Sequence, residues 1–408
     1  MTRWIVRASA IWALALVSTT TTAEQRRAAY PGTIDQHPAI DYRGLPPTDV
    51  VTALQRDLSA GATPLAFDSP QGFLRALLAR LDVPIESQVL LFSKTGIQHP
   101  FTDPEHPRAL YFNDRVVVGY IPNAPFIEMA SHDASQGVIF QTLKQDSGPL
   151  QVTRPDRCLT CHLSANSLEV PGILVRSMFT DNTGRTRPQL GSSLVDHRTP
   201  LEKRWGGWYV TGSHGSTRHL GNSMVTDNMA PEAAVNETTL NRSTLDVRVD
   251  SSAYPVATSD IAALMVFDHQ GHAMNLLTRL GWEARIAAAD ARLDLSSGDL
   301  RDLVRATAEY LLFEDEAPLG GPVQGVSRFA EVFGATGPLD RQGRSLRELD
   351  LKTTLFRYRC SYMIYSPAFD ALPAVVRTAV YARMADILTS RGDRAVMEIL
   401  DDTRKGWR

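Results

Sequence analysis

Three cysteines in 408 residues are too few for a disulfide framework, so stability has to come from an ordinary apolar core. Positive charge is not in excess either. The formal net charge is −3, and no basic patch stands apart from the acids around it, which speaks against a nucleic-acid partner. After the first residues no segment approaches the ~20 consecutive apolar residues of a membrane-spanning helix. There is no internal repeat and no low-complexity tract.

The N-terminus reads as a targeting segment. Arg3 and Arg7 precede a short apolar stretch, Ala8–Val17, and Thr21 and Ala23 are small residues before Glu24. A secretory signal peptide over residues 1–23, cut after Ala23, is expected. Its loss removes two arginines and no acid, so the formal charge goes from −3 to −5. The address implied is periplasmic or secreted, with no transmembrane segment in the mature chain.

Residues 24–48 are rich in proline, arginine and small residues and read as an extended lead-in. A helix is predicted from Thr48 to Leu58. Another starts with Ser69 as N-cap and Pro70 in the first turn, carrying the stripe Phe73, Leu74, Leu77, Leu78 and Leu81. Ser87–Phe92, Ala109–Ile121, Gly172–Phe179 and Trp205–Thr211 favour strands. From about Ser259 the pattern becomes helical, first along Ile261, Leu264, Met265, Leu276, Leu277 and Leu280, then along Leu300, Leu303, Val304, Thr307 and Leu311. A final helix is expected from Pro373 to Gly392. The fold expectation is α+β, predominantly helical: a binding region with short strands over 24–255 and a helical region over 256–408.

The chemistry concentrates in Cys158-Leu159-Thr160-Cys161-His162. In C-x-x-C-H two thiols add across the two vinyl groups of a haem, and the following histidine reaches the iron from the proximal side. A thioredoxin-like dithiol gives His162 no role. A zinc half-site lacks a second cysteine pair, because Cys360 stands alone. Chance occurrence, from three cysteines and ten histidines, is on the order of a few in ten thousand. One motif implies one covalent haem c.

The motif resembles that of bacterial c-type cytochromes. Asn113-Asp114, Val170-Pro171-Gly172, Asp196-His197-Arg198-Thr199-Pro200 and Arg204–Gly215 further resemble uncharacterised secreted proteins with a cytochrome-c domain. That resemblance implies haem binding, electron-transfer potential and an extracytoplasmic address.

Around the motif, Arg154 and Arg157 are candidates for pairing with haem propionates, against solvated loop arginines. Trp205, Trp208 and Tyr209 are candidates for a crevice wall, or equally core aromatics. For the distal iron ligand His219 and His214, in a glycine-rich loop, are preferred over Met178, Met224 and Met229. His197 is expected to make local turn hydrogen bonds. His269 and His272, three apart on a helix, suit a shared metal or a core histidine pair. Cys360 reads as a buried inert thiol. The expected function is an exported monohaem cytochrome exchanging electrons with a periplasmic redox partner; the alternative is a haem-dependent redox enzyme with an open distal site near His214 and His219.

Overall fold

Asn113 splits the predicted Ala109–Ile121 strand in two. Its Oδ1 accepts from the backbone N–H groups of Arg115 (2.9 Å) and Val116 (3.1 Å), an Asx turn that folds the run into a hairpin. This hairpin lies inside a seven-stranded antiparallel sheet. In the computed structural model, which describes residues 32–146, 150–226 and 230–408, the sheet comprises β1 (Val89–Leu91), β2 (Arg108–Phe112), β3 (Val116–Tyr120), β4 (Phe126–Asp133), β5 (Gly137–Lys144), β6 (Val152–Thr153) and, after the two-stranded β7 (Arg176–Met178) and β8 (Ser192–Leu194), β9 (Trp208–Tyr209). The order across the sheet is β6-β5-β4-β3-β2-β1-β9.

The expectation of a predominantly helical chain with short strands is corrected here. The protein is a mixed α+β fold, 36% helix and 14% strand, and β4 and β5 run for eight residues each. They were hard to see because Ser131, His132, Asp133, Gln141 and Thr142 are polar yet buried. Ser131 Oγ and Gln141 meet Asp49 and Thr52 on the preceding helix, so these strands carry satisfied polar groups where apolar alternation was sought.

One face of the sheet packs on α1 (Val50–Ser59) and α2 (Leu74–Arg80). Val51, Leu54, Phe73, Leu74, Leu77 and Leu78 meet Tyr111, Val116, Val118, Ile127, Met129 and Leu143 there. The N-cap of α1 is Asp49, and α2 begins at Leu74, past the predicted Ser69-Pro70 start, although its buried stripe is as predicted.

The opposite face carries the C-x-x-C-H turn, whose last part is α3 (Leu159–His162), and the long α4 (Ile261–Ala289). Asp260 caps α4 by accepting from Ala262 N (2.8 Å). The helix is buried on nearly every side rather than along one stripe, as a helix in the middle of a core must be. Outside it lie α5 (Gly298–Leu311), α6 (Phe329–Gly334), α7 (Pro367–Asp370), α8 (Ala374–Arg391) and α9 (Arg394–Thr403). The Pro373–Gly392 helix forms as expected and ends on Gly392 at φ 67°, but α9 follows it.

Strands precede position 256 and long helices follow it, yet one apolar cluster joins them, running from Ile40 through the sheet and α4 to Trp407. Residues Ile34–Arg408 form one compact unit. Among the described residues no helix is long and apolar enough to cross a membrane. The expected signal peptide and Met229 lie outside the described residues.

Candidate functional site: the attachment turn and the sheet beneath it

The motif occupies a 3-10 turn, Asp156–Cys158, running directly into α3. Leu159 is buried and anchors the turn in the core, while Cys158 is half-buried and Cys161 exposed. Helical spacing puts residues three and four apart on one side, so Cys158, Cys161 and His162 share a face.

His162 is held by a strap of chain. Its Nδ1 lies 2.8 Å from the carbonyl oxygen of Gly172. A carbonyl only accepts, so Nδ1 carries the proton and Nε2 carries the lone pair. No described residue bonds to Nε2. Burial lowers the histidine's pKa, which keeps the ring neutral. The ring packs against Phe140 of β5, with centroids 4.6 Å apart.

The strap is itself positioned by α4. Asn275 accepts from Ile173 N and donates to Ile173 O, both at 2.8 Å, so one side chain closes both backbone groups next to Gly172. Arg279, one helical turn on, donates to Leu168 O at 2.9 Å. Ser167 Oγ donates to His162 O at 3.0 Å. A Cβ at Gly172 would stand 2.3 Å from Asn275 Oδ1, so the close approach of strap to helix requires glycine.

Cys158 does not resemble the nucleophile of a redox dithiol. Burial pushes Cys158 up to about 11, whereas a nucleophilic C-x-x-C cysteine needs a lowered value. Among the described residues no group of three His, Cys, Asp or Glu side chains could hold a metal ion. The residues do fit a thioether-bound haem: two free thiols on one turn, a neutral imidazole whose Nε2 is available, and apolar backing from Phe140, Leu159 and Val170.

Beside the motif the sheet shows a polar group that the sequence did not reveal. Glu128 of β4 pairs with Thr142 and Gly119, on the same face as Ala130, which pairs with Phe140. Gln98 Nε2 donates to Glu128 Oε1 at 2.9 Å, and Arg108 Nη1 lies 3.5 Å from Oε2. The guanidinium of Arg108 lies directly over Gly96, where any side chain would collide with it. Arg108 Nε is buried without a hydrogen-bond partner. Glu128 and Arg108 both act electrostatically on His162, and Glu128 also on Cys158.

The proposed distal histidines are elsewhere. His214 and His219 follow β9, at the edge of the sheet opposite to β5 and β6. The order β5-β4-β3-β2-β1-β9 interposes five spacings, roughly 24 Å at the usual strand separation. His214 is also fully used: Nδ1 donates to Thr217 O at 2.7 Å and Nε2 accepts from Asn241 N at 3.0 Å. His219 is buried between Trp205 and His214, and neither ring nitrogen has a partner. Of the methionines, Met178 is buried in β7, and the sulfur of Met224 accepts from Arg248 at 3.4 Å.

Other candidates resolve into structural roles. Arg154 stacks on Tyr42 and donates to its carbonyl oxygen at 2.6 Å, tying the lead-in to the sheet. Arg157 is exposed beside Cys158. The indoles of Trp205 and Trp208 donate to Asp268 (3.0 Å) and Arg176 O (2.8 Å), and Tyr209 OH donates to Pro104 O (2.7 Å), all at the β9 edge. His197 is no mere turn residue: its Nδ1 meets His269 Nδ1 at 2.8 Å, and His269 Nε2 meets Ser361 Oγ at 2.6 Å. His272 instead accepts from Arg198 at 3.2 Å, so His269 and His272 share no ligand. Cys360 is buried and burial raises its thiol pKa.

Comparison with known proteins returns no matching protein-family model, no matching curated protein and no matching solved structure.

Proposed function

We propose that this chain carries one haem c, attached covalently through Cys158 and Cys161, with His162 as the proximal iron ligand. The single observation carrying the reading is the Nδ1–H bond from His162 to Gly172 O, which leaves Nε2 with its lone pair available. Iron-binding histidines need this arrangement, because the second-shell acceptor fixes both tautomer and ring direction. When bound, the group supplies a one-electron couple at a fixed position.

The chain's own residues do the rest. Asn275 holds the strap, the strap holds His162, Phe140 packs against its ring, and the buried Leu159 anchors the turn in the core. The function that follows is electron exchange with a redox partner protein outside the cytoplasm, in a periplasmic or secreted protein released after Ala23. A second reading is haem-dependent chemistry on a bound small molecule; with His214 and His219 following β9 at the far sheet edge, its acid–base group would have to come from other residues.

The test is export of the full chain in a host with the haem-attachment machinery, followed by peroxidase staining of a denaturing gel. The wild-type chain is expected to stain, and the Cys158→Ala/Cys161→Ala double variant is not. An unstained wild-type chain overturns the proposal.

A further inference from the structure

Resting on that reading, we infer that Glu128 and Arg108 form the receiving site on the open face of the iron, for small weak acids that bind ferric haem as anions. Hydrogen cyanide, hydrogen fluoride and hydrogen peroxide belong to this class.

The argument begins with direction. Val138 N donates to Pro171 O at 3.4 Å, which puts Gly172 at the Val138 end of β5. His162 packs on Phe140, two residues further along that strand, and its Nδ1 points back to Gly172. Nε2 is on the opposite edge of the ring and faces onward along β5. The next residue on that face is Thr142, and its cross-strand neighbour is Glu128.

The surroundings of the pair also suit a ligand. Gly119, directly across from Glu128, and Ala130, two residues along its strand, are small residues on the same face. A Cβ added at Gly119 would make only ordinary contacts, with Leu110 at 3.4 Å and Glu128 at 3.6 Å, and its φ needs no glycine. A methyl group would therefore fit at this position of the central strand without a clash. Glu128 is oriented by Gln98, which is itself buried and tied to Phe126 on both sides of its amide. Arg108 keeps a buried, unpartnered Nε beside it.

The chemistry balances without a co-reactant. With the haem bound, a weak acid HX would give its proton to the Glu128 carboxylate, and the anion X⁻ bound at the iron would be stabilised by the Arg108 guanidinium. No electron moves in this step. Glu128 is thus the proton acceptor and Arg108 the anion-stabilising group.

The experiment uses the full chain with covalent haem, verified by the stained denaturing gel, in the ferric state. The wild type is expected to be high-spin and to bind both cyanide and fluoride. Glu128→Gln is expected to slow cyanide association about 100-fold, and Glu128→Asp, which keeps the carboxylate, to restore it to within a few fold. Arg108→Leu is expected to weaken fluoride binding about 10-fold with the spin state unchanged. A low-spin iron that ignores both anions overturns the inference, as do variants with wild-type cyanide rates and fluoride affinities. A chain without covalent haem overturns the proposed function and this inference together; a haem-loaded chain with unresponsive iron overturns the inference alone.

Discussion

His162 Nδ1 and Gly172 O meet at 2.8 Å, and this bond ties the C-x-x-C-H turn to the strap that the 29-residue helix α4 holds. Asn275 closes the link by binding both backbone groups of Ile173, one residue past the acceptor. A ligand direction set only by its own short turn would vary with that turn. Here it is set by a side chain on a buried helix.

The strap should therefore be sensitive to single atoms. Gly172→Ala puts a methyl group 2.3 Å from Asn275 Oδ1. It is expected to cost about 1–3 kcal/mol by overpacking. Asn275→Ala, which strands the buried N–H and C=O of Ile173, is expected to cost about 1–3 kcal/mol. Urea denaturation of the haem-loaded chain measures both. In both variants the absorption spectrum should also move, because the proximal histidine loses its fixed direction.

His219 gives a prediction of the opposite kind. Burial lowers its pKa to about 3 from 6.5, so the folded chain holds it neutral while the unfolded chain protonates it below 6.5. Its contribution is fully present above pH 6.5 and is lost as pH falls toward the folded value. His219→Leu removes two buried nitrogens that have no partner and is expected to stabilise the protein by about 1 kcal/mol at neutral pH. Near pH 5 it should also reduce the slope of stability against pH by about 1.4 kcal/mol per unit. The haem spectrum should not change. A shift in spin state on this substitution would return His219 to the iron.

Asp268 titrates the other way. Burial raises its carboxyl from 3.8 to about 7 against the opposing pull of Arg204 and the Trp205 indole. A raised carboxyl favours the folded state below pH 3.8, and that advantage is lost as pH rises through the folded value. Relative to Asp268→Asn, the wild type is expected to lose stability between about pH 4 and pH 7 and to stay level above that. Paired urea titrations across this range check it; a difference that does not vary with pH contradicts the assignment.

What could be read in the sequence follows from how local each signal is. The Pro373–Gly392 helix is local, carried by residues within a turn or two, and forms as read. The Asn113 hairpin was missed because Val116–Val118 continues the β pattern of Ala109–Phe112, and the turn is made by one side chain. Asn275 and Glu128 were invisible for a different reason. Asn275 acts on Ile173, 102 positions away, and in a helical pattern it reads as one polar residue among apolar ones. Glu128 gains its meaning only when β4 and β5 pair and bring Phe140, and with it His162, alongside. The strand order could not be read either: sequence proximity to the motif says nothing about it, and β9, which precedes His214 and His219, pairs at the sheet edge away from β5.

The most direct test of the central claim is peptide mass spectrometry on the full chain exported with the haem-attachment machinery. The peptide containing Cys158 and Cys161 is expected to carry one haem bound through both sulfurs, with the buried Cys360 unmodified. Two free thiols, or a disulfide between Cys158 and Cys161, in chain that has passed through that machinery would contradict it.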